Sequence, residues 1–292
     1  MVYGTSPLKL KRQRRTRDEL HALDLELYRI VEENQPMTIR GAFYQAEVLE
    51  LVPKDEKGYD VVQRRLLKLR INGTIPYGWI TDGTRLVQRY SRWNGMGDFA
   101  TQAAQFYRRD YWVSSPARVE IWIEKDALSG VIFPTVVEEW GLELFVARGF
   151  SSVTYLQNAA EGISDDGRPT YVYILGDRDP SGICAARKIA EELPERARGV
   201  SVHVEHLAVT MPQVEAWKLP TRDVKHSDSR ARKFIREFGE ISVELDAIPP
   251  KTLRSMVGQA IARHADPAAI SRLKLIEEEE RSNMVRMFEN RN

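Results

Sequence analysis

The stretch that decides the fold is YVYILGDRDPSG, residues 171–182, in which an apolar run ends at Gly176 and two aspartates follow two residues apart. A short apolar run that stops at glycine predicts a buried strand. Asp179 followed by Pro180 predicts the start of a helix, because Asp is a good N-cap and Pro is favoured at the first helical position. The stretch is therefore expected to run from a buried strand through a polar turn into a helix.

The same alternation continues on both sides of this stretch. The sequence predicts strands over residues 119–123, 142–146, 171–175 and 200–207, with helices over residues 126–140, 153–160 and 181–193 between them. Strands that alternate with helices predict an α/β fold whose mostly parallel, Rossmann-like sheet is covered on both faces. The functional crevice of such a sheet lies beyond the carboxyl ends of its strands.

Carboxylates follow two of these strands at the point where each strand ends. Glu124 is the first residue after the first apolar run, and Asp177 and Asp179 follow the third. Residues i and i+2 of an extended chain point the same way, so the two aspartates are expected to converge. A cluster of carboxylates suits Mg²⁺, and without a cation the same groups would raise one another's pKa values. Each residue alone also fits an ordinary role, as a helix cap, a turn residue or a surface charge.

The front of the chain has a different pattern. Helices are predicted over residues 19–33, 38–52 and 59–71, followed by a short β segment over residues 74–81. Three helices and a β-ribbon are the outline of a winged helix, although many small helical domains share it. The third helix would enter the major groove of DNA with a basic face formed by Arg64, Arg65 and Lys68.

Basic residues are concentrated towards the N-terminus. Residues 1–118 carry 20 Lys and Arg against 14 Asp and Glu, whereas residues 119–292 carry 23 against 28. Residues 9–17 hold six basic side chains in nine positions, either as a solvated tail or as an arm that neutralises DNA phosphates. The residues predicted to contact DNA from this arm are Lys11, Arg12, Arg14 and Arg15.

Composition excludes several classes of protein. Hydrophobic residues make up 42% of the chain and charged residues 29%, which is typical of a globular protein. No apolar run approaches the roughly 20 residues of a membrane span. A single cysteine, Cys184, rules out a disulfide framework and fits a reducing interior. The expected location is therefore the cytoplasm, in association with DNA, and no membrane partner is expected.

Three segments in and around the predicted sheet make the expected fold more specific, because they resemble the motifs of a known family. IEKDA (residues 123–127), ARGFSS (147–152) and GDRDPSG (176–182) resemble, in this order, the Toprim motifs of the topoisomerase VI A subunit and the related meiotic double-strand-break proteins. HSDSRA (226–231) and VELDAI (243–248) are similar to later segments of that family, which implies that Glu244 lies beside the metal site. Lys125 and Arg148 fall within the motifs and are expected to contact DNA phosphates. Charge balance explains Lys125 as well, and a polar turn explains Arg148.

The same family places a nucleophilic tyrosine in a winged helix before the Toprim domain. In TIRGAFYQAEV, residues 38–48, Tyr44 matches the nucleophile and Arg40 the arginine near it. The resemblance implies Mg²⁺-dependent DNA cleavage in which the Tyr44 hydroxyl attacks a phosphodiester, leaving a phosphotyrosyl ester and a free hydroxyl. Arg40, four residues away on the same helix face, would favour the phenolate or hold the phosphate. The spacing of Tyr44, Val48 and Leu51 also fits a tyrosine in the hydrophobic core.

The resemblance implies double-stranded DNA as the partner and a homodimer in which one protomer's tyrosine works at the other's metal site. The family's longer N-terminal region, which binds an ATPase B subunit, has no counterpart in the short basic tail, so the outline is closest to short Mini-A-like members. A separate ATPase subunit stays open as a partner. The expected domains are a basic arm (1–18), a winged helix (19–92), a connector (93–117) and a Toprim domain with C-terminal helices (118–292). The acidic run at residues 277–280 is expected to face solvent.

Two other functions fit the sequence. A hydrolytic Toprim nuclease would use water for the attack, and Tyr44 would then be structural. A winged-helix protein that binds DNA without cutting it would need neither Tyr44 nor the carboxylates. Retained cleavage without a protein–DNA adduct would indicate the first, and binding without Mg²⁺-dependent nicking the second.

Overall fold

A four-stranded parallel sheet forms the centre of the molecule. The structure, a computed structural model, describes residues 16–81, 92–147 and 153–289, with side chains up to residue 287. The strands are β1 (Arg118–Ile123), β2 (Leu144–Val146), β3 (Thr170–Leu175) and β4 (Val202–Ala208). They lie side by side in the order β2-β1-β3-β4. The α/β class and the parallel sheet predicted from the sequence are confirmed.

Helices follow the strands as the alternation predicts. Helix α5 (Asp126–Phe133) continues into a π-helical segment, Pro134–Glu139, while α6 (Val153–Asp166) and α7 (Pro180–Arg196) cover the opposite face of the sheet. Trp122 and Ile174 pack under α6 and α7, whereas Ile121 and Leu175 point to the other face. Because the central strands are buried on both faces, they are mostly apolar, with the buried Glu120 of β1 as an exception.

Within the described residues, four α-helices precede the sheet. They are α1 (Arg17–Asn34), α2 (Ile39–Val48), α3 (Glu56–Ile71) and α4 (Met96–Phe106). Buried residues of the first three, such as Leu27, Phe43 and Leu66, belong to the same hydrophobic core as Ile121 and Leu175 of the sheet. The core of these helices is therefore continuous with that of the sheet, and a separate winged-helix domain is not confirmed.

The β segment predicted over residues 74–81 is not a strand. This stretch contains a 3₁₀ turn, Tyr77–Trp79, and a single bridge between Met37 and Ile80. Pro76 lacks the N–H that a ladder hydrogen bond needs, so the chain turns here. Residues 82–91, which follow this segment, lie outside the described part of the chain.

The C-terminal region begins with short elements and ends in two helices. These elements are α8 (Met211–Ala216), β5 (Arg222–Asp223), α9 (Ala231–Phe238), β6 (Ile241–Ser242), a 3₁₀ turn (Leu245–Ala247), α10 (Pro250–Ala262) and α11 (Pro267–Glu289). Strands β5 and β6 pair antiparallel. No helix in residues 16–81, 92–147 or 153–289 has the length and apolar character needed to cross a bilayer.

Glu277 corrects the expectation that the acidic run faces solvent. It is 4% exposed, and its Oε2 accepts hydrogen bonds from the backbone of Arg109 at 2.7 Å and from the Tyr111 hydroxyl at 2.9 Å. Arg281, one turn further along α11, pairs with its other oxygen. The neighbouring Glu278 and Glu279 are exposed as predicted. Charge alone could not separate them, because it is the packing of α11 on the connector that buries one face of the helix.

Candidate active site

The register of β1 and β3 determines where the strand-end carboxylates lie. Ile123 is paired with Leu175, so Glu124 lies beside Gly176, and Asp177 is one residue further along. Adjacent residues of a strand point to opposite faces. Glu124 accordingly extends towards α7, whereas Asp177 extends towards Lys125 and Leu245 on the other side.

Glu124 occupies a narrow space that two glycines leave open. Its Oε2 accepts a hydrogen bond from the Asp177 amide at 3.3 Å. A Cβ at Gly176 or at Gly182 would lie 3.0 Å from this oxygen, which is tighter than normal contact. Burial, followed by the negative charge of Asp177 and then that of Asp179, raises the pKa of Glu124 to about 6. The three predicted carboxylates are therefore close enough to repel one another.

Asp179 has the structural role that its sequence context allows. It is the N-cap of α7, and its Oδ1 accepts hydrogen bonds from the amides of Ser181 at 2.9 Å and Gly182 at 2.7 Å. The helix N-terminus also favours negative charge at this position. Because the helix amides engage Oδ1, a further ligand of Asp179 would use its other oxygen.

Asp177 connects the carboxylates at the strand ends to a second group of charges, which surrounds Lys125. Its Oδ1 accepts a hydrogen bond from the Leu245 amide at 2.8 Å, and its Oδ2 lies 3.1 Å from Nζ of Lys125. Burial raises the pKa of Asp177 in spite of the opposing charge of Lys125. Asp177 thus lies between the end of β3 and the segment that carries Glu244.

Lys125 lies at the centre of three carboxylates. Its Nζ is 2.8 Å from Asp246, 2.9 Å from Glu244 and 3.1 Å from Asp177. Burial alone would lower the pKa of Lys125, but the charges of these partners outweigh burial and raise it. This arrangement matches the charge-balancing interpretation of Lys125, since all three carboxylates engage the same ammonium group.

Helix α2 is attached to this cluster by a buried hydrogen bond. The Thr38 hydroxyl, which caps α2 by accepting from the Gly41 amide at 2.9 Å, donates to Oδ1 of Asp246 at 2.8 Å. Both Thr38 and Asp246 are buried. The start of the helix that carries Tyr44 is therefore fixed to the cluster around Lys125.

Tyr44 and Arg40 reach the same cluster through Glu244. The negative charge of Glu244 acts on the Tyr44 hydroxyl, which accepts a hydrogen bond from Nε of Arg222 at 3.1 Å. Arg40 pairs with Glu244 at 3.0 Å. Tyr44 is only 1% exposed, as the core interpretation predicts, but its hydroxyl is not in an apolar environment.

The electrostatic environment of Tyr44 differs from the expected one. Burial raises the pKa of its hydroxyl, and the negative charge of Glu244 raises it further. The cation that contacts the oxygen and opposes this rise is Arg222, not Arg40. In this arrangement the hydroxyl is neutral at physiological pH and able to donate a proton to Glu244.

An open crevice of about 640 Å³ adjoins these groups. Its walls include Asp177, Asp179, Lys125, Arg40 and Glu244, whereas Glu124 lines a separate narrow void under the first turn of α7. The crevice is therefore a highly charged cavity at the carboxyl ends of the parallel strands, where the fold predicts a functional site.

The described residues contain no set of three acidic, histidine or cysteine side chains grouped as metal ligands. Lys125 and the first turn of α7 engage oxygens of Asp177 and Asp179, and Glu124 points to the other face of the sheet. The magnesium site formed by these three residues stays a prediction.

The predicted basic face of α3 divides into two parts. Arg64 and Lys68 are exposed, whereas Arg65 forms a part-buried ion pair with Asp24 of α1. Apart from Lys125, the other residues predicted to contact DNA lie outside the described residues; they are Lys11, Arg12, Arg14, Arg15 and Arg148.

Sequence reasoning missed Arg222 and Asp246. Asp246 lies in VELDAI, the segment quoted for its resemblance, one residue beyond Leu245. Arg222 lies in no quoted motif, and its contact with Tyr44 joins positions 178 residues apart. Only the folded chain brings such positions together.

Comparison of the chain with models of known protein families gives no match. A search of curated proteins likewise finds no match. The family resemblance therefore rests on the motifs in the sequence.

Proposed function

We propose that this chain binds double-stranded DNA and breaks its strands by Mg²⁺-dependent transesterification at Tyr44, as in the topoisomerase VI A family that it resembles. The observation that carries the proposal is that Glu244, whose charge acts on the Tyr44 hydroxyl, shares the Lys125 ammonium group with Asp177. Asp177 and Asp179 line the same charged crevice as Glu244, whereas Tyr44 is buried and Glu124 lies in the void under α7. In this proposal the helices before the sheet act as a winged helix, and the sheet is a Toprim domain.

The residues at the edge of the sheet suit a hard divalent cation. Glu124, Asp177 and Asp179 would hold Mg²⁺, because carboxylate oxygens are its usual protein ligands. Burial is the main cause of the raised pKa of Glu124, and the negative charges of Asp177 and Asp179, which a cation would offset, raise it further. When bound, Mg²⁺ would offset charge on the leaving oxygen of the phosphodiester.

The chemical step can be written with the groups around Tyr44. Its oxygen forms a bond to phosphorus while the bond from phosphorus to the sugar oxygen breaks. Glu244, whose charge acts on the hydroxyl, takes the phenolic proton and passes it to solvent, and the sugar oxygen takes a proton from water. One phosphodiester is exchanged for another, so the step is close to thermoneutral and reversible. Arg40, beside Glu244, would hold the phosphate.

Attack requires Tyr44 to become accessible. The Arg222 guanidinium lies 5.3 Å from the centre of the Tyr44 ring and covers it on the crevice side. Exchange of the Arg222 contact for a DNA phosphate would uncover the hydroxyl. The proposal includes a homodimer, in which the tyrosine would serve the carboxylates of the other protomer once its contacts with Arg222 and Glu244 of its own protomer are broken.

A hydrolytic nuclease is the second candidate, because burial raises the pKa of Tyr44 and makes it a poor nucleophile in this arrangement. Supercoiled plasmid with Mg²⁺ separates the candidates. Transesterification predicts that Tyr44→Phe and Asp177→Asn both abolish nicking while DNA binding survives. Nicking that survives Tyr44→Phe would favour hydrolysis. Binding without nicking in the wild type would favour a DNA-binding protein and contradict both enzymatic proposals.

A further inference from the structure

A second cavity lies between α7, β4 and α9, away from the crevice that holds Lys125. It measures about 720 Å³, within the size range of pockets for small organic molecules. Its walls are mostly apolar, and they include Ile183, Ala186, Val204 and Phe238. Few polar groups line it, so those that do would determine which ligand it accepts.

Arg178 brings a buried positive charge to this cavity. Its side chain is 6% exposed, and its guanidinium packs beside the rings of Phe234 and Phe238, at 5.9 and 5.2 Å from their centres. One terminal nitrogen donates to the carbonyl of Phe238 at 3.2 Å, but Nε has no hydrogen-bond partner among the described residues. No carboxylate of that part of the chain lies within ion-pair distance of Arg178. A buried charge without a counter-ion is costly, so an anion at this position would stabilise the protein.

The backbone holds Arg178 firmly in place. Its amide donates to the Val243 carbonyl at 2.8 Å, and its own carbonyl accepts from the Val243 amide at 3.0 Å. Since these bonds fix the backbone, the guanidinium is preorganised for a ligand.

His206 supplies a second unsatisfied polar atom. His206 lies on β4, where it is paired in register with Ile174 of β3. Its buried Nε2 has no hydrogen-bond partner among residues 16–81, 92–147 and 153–289. Burial, followed by the charge of Arg178, lowers its pKa and favours the neutral ring. A ligand hydroxyl can bond to Nε2 in either tautomer, because a hydroxyl both donates and accepts.

The other charged residues of the cavity compensate each other. Arg187 pairs with Glu237 at 2.5 Å. Because the charges of Arg187 and Glu237 cancel, the net charge of the cavity lining is that of Arg178. The lining therefore combines apolar walls, one uncompensated cation and one free imidazole nitrogen.

We propose that this cavity binds a small organic anion with an apolar body, its anionic group beside the guanidinium of Arg178 and a hydroxyl beside the imidazole of His206. The proposal does not depend on the reaction assigned to the crevice. A carboxylate and a phosphate ester share the required chemistry, and competition distinguishes them.

The probe is 8-anilinonaphthalene-1-sulfonate, whose fluorescence rises in apolar sites, and its neutral counterpart is N-phenyl-1-naphthylamine. The full chain is expected to bind the anionic probe at least about tenfold more tightly, which corresponds to about 1.4 kcal/mol. Phenylacetate or phenyl phosphate should displace the probe and benzyl alcohol should not. Whichever anion competes better identifies the class of ligand.

Four variants test whether the probe binds in this cavity. Arg178→Gln should remove the preference for the anionic probe, and Arg178→Lys should retain most of it. Ala190→Trp, at an exposed position of the lining, should block binding, while Glu191→Trp next to it should not. Circular dichroism verifies that each variant is folded, and if Arg178→Gln does not fold, the comparison of the two tryptophan variants decides. Equal binding of both probes by the wild type, or full binding by Ala190→Trp, would overturn the proposal.

Discussion

The ammonium of Lys125 lies 2.8 Å from Oδ2 of Asp246, a carboxylate that is 3% exposed. Lys125 also contacts Asp177 and Glu244, so one cation balances three carboxylates. The pairing joins the end of β1 to the segment after β6, and through Thr38 it includes the start of α2. The charges of the crevice are thus part of the structure that holds the sheet and the N-terminal helices together.

Replacing Lys125 with Met should destabilise the protein by about 3 kcal/mol, because removal of one partner leaves buried carboxylates uncompensated. Urea unfolding measures the loss. Lys188→Met is the matched control, since Lys188 belongs to an i,i+4 pair on α7 with Glu192, and it should change the free energy of unfolding by less than about 0.5 kcal/mol. Equal effects of the two variants would show that the buried cluster does not contribute to stability.

Thr38→Ala should cost about 2 kcal/mol, because it removes both the cap of α2 and the hydrogen bond to Asp246. Thr38→Ser keeps the hydroxyl and should recover most of the stability. Thermal unfolding of the two variants provides the comparison, and a serine variant as unstable as the alanine variant would contradict this explanation.

Glu124→Gln tests the repulsion at the edge of the sheet. The folded-state pKa of Glu124, about 6, exceeds its ordinary value of 4.5, so its ionised form destabilises the fold. Stability is lost as the pH rises from 4.5 through 6. Without divalent cations, the variant should melt about 2 °C or more above the wild type at about pH 8, and no higher at about pH 4. The exposed Glu138→Gln should show no such pH-dependent gain.

Mg²⁺ should raise the melting temperature of the wild type near neutral pH, because a bound ion stabilises the folded state. The rise should shrink as the pH falls below about 6, where protonation of Glu124 competes with the cation. Asp177→Asn should lose the rise altogether. An unchanged Mg²⁺ effect in that variant would place the ion elsewhere.

Arg64→Ala and Lys68→Ala should each weaken binding to duplex DNA and lower its salt dependence by about one counterion. Arg65→Ala should mainly reduce stability, because Arg65 pairs with Asp24. Fluorescence anisotropy at several salt concentrations measures binding, and urea unfolding measures stability. An Arg65 variant of normal stability that binds DNA more weakly than the Arg64 variant would reverse this assignment.

The order of strands and helices was predictable, because buried parallel strands are apolar runs and Asp179-Pro180 marks the start of α7. The convergence of Asp177 and Asp179 on one crevice follows from their spacing. Glu124 and Asp177 point to opposite faces of the sheet because of the register in which β1 and β3 pair. This register cannot be predicted from either segment alone.

The features that could not be predicted from the sequence depend on packing between distant parts of the chain. Arg222 covers Tyr44, and α11 buries Glu277, through contacts between distant parts of the chain. Residues 74–81 fit a strand pattern, but Pro76 and the packing of Met37 against Ile80 produce a turn. Local patterns carry no information on such contacts.

Covalent capture tests the proposed chemistry most directly. The protein is incubated with supercoiled plasmid and Mg²⁺, denatured, digested with nuclease and protease, and analysed by mass spectrometry. A nucleotide attached to the peptide that contains Tyr44, absent from Tyr44→Phe and from reactions without Mg²⁺, is the predicted result. Cleaved DNA with no modified Tyr44 peptide would contradict transesterification.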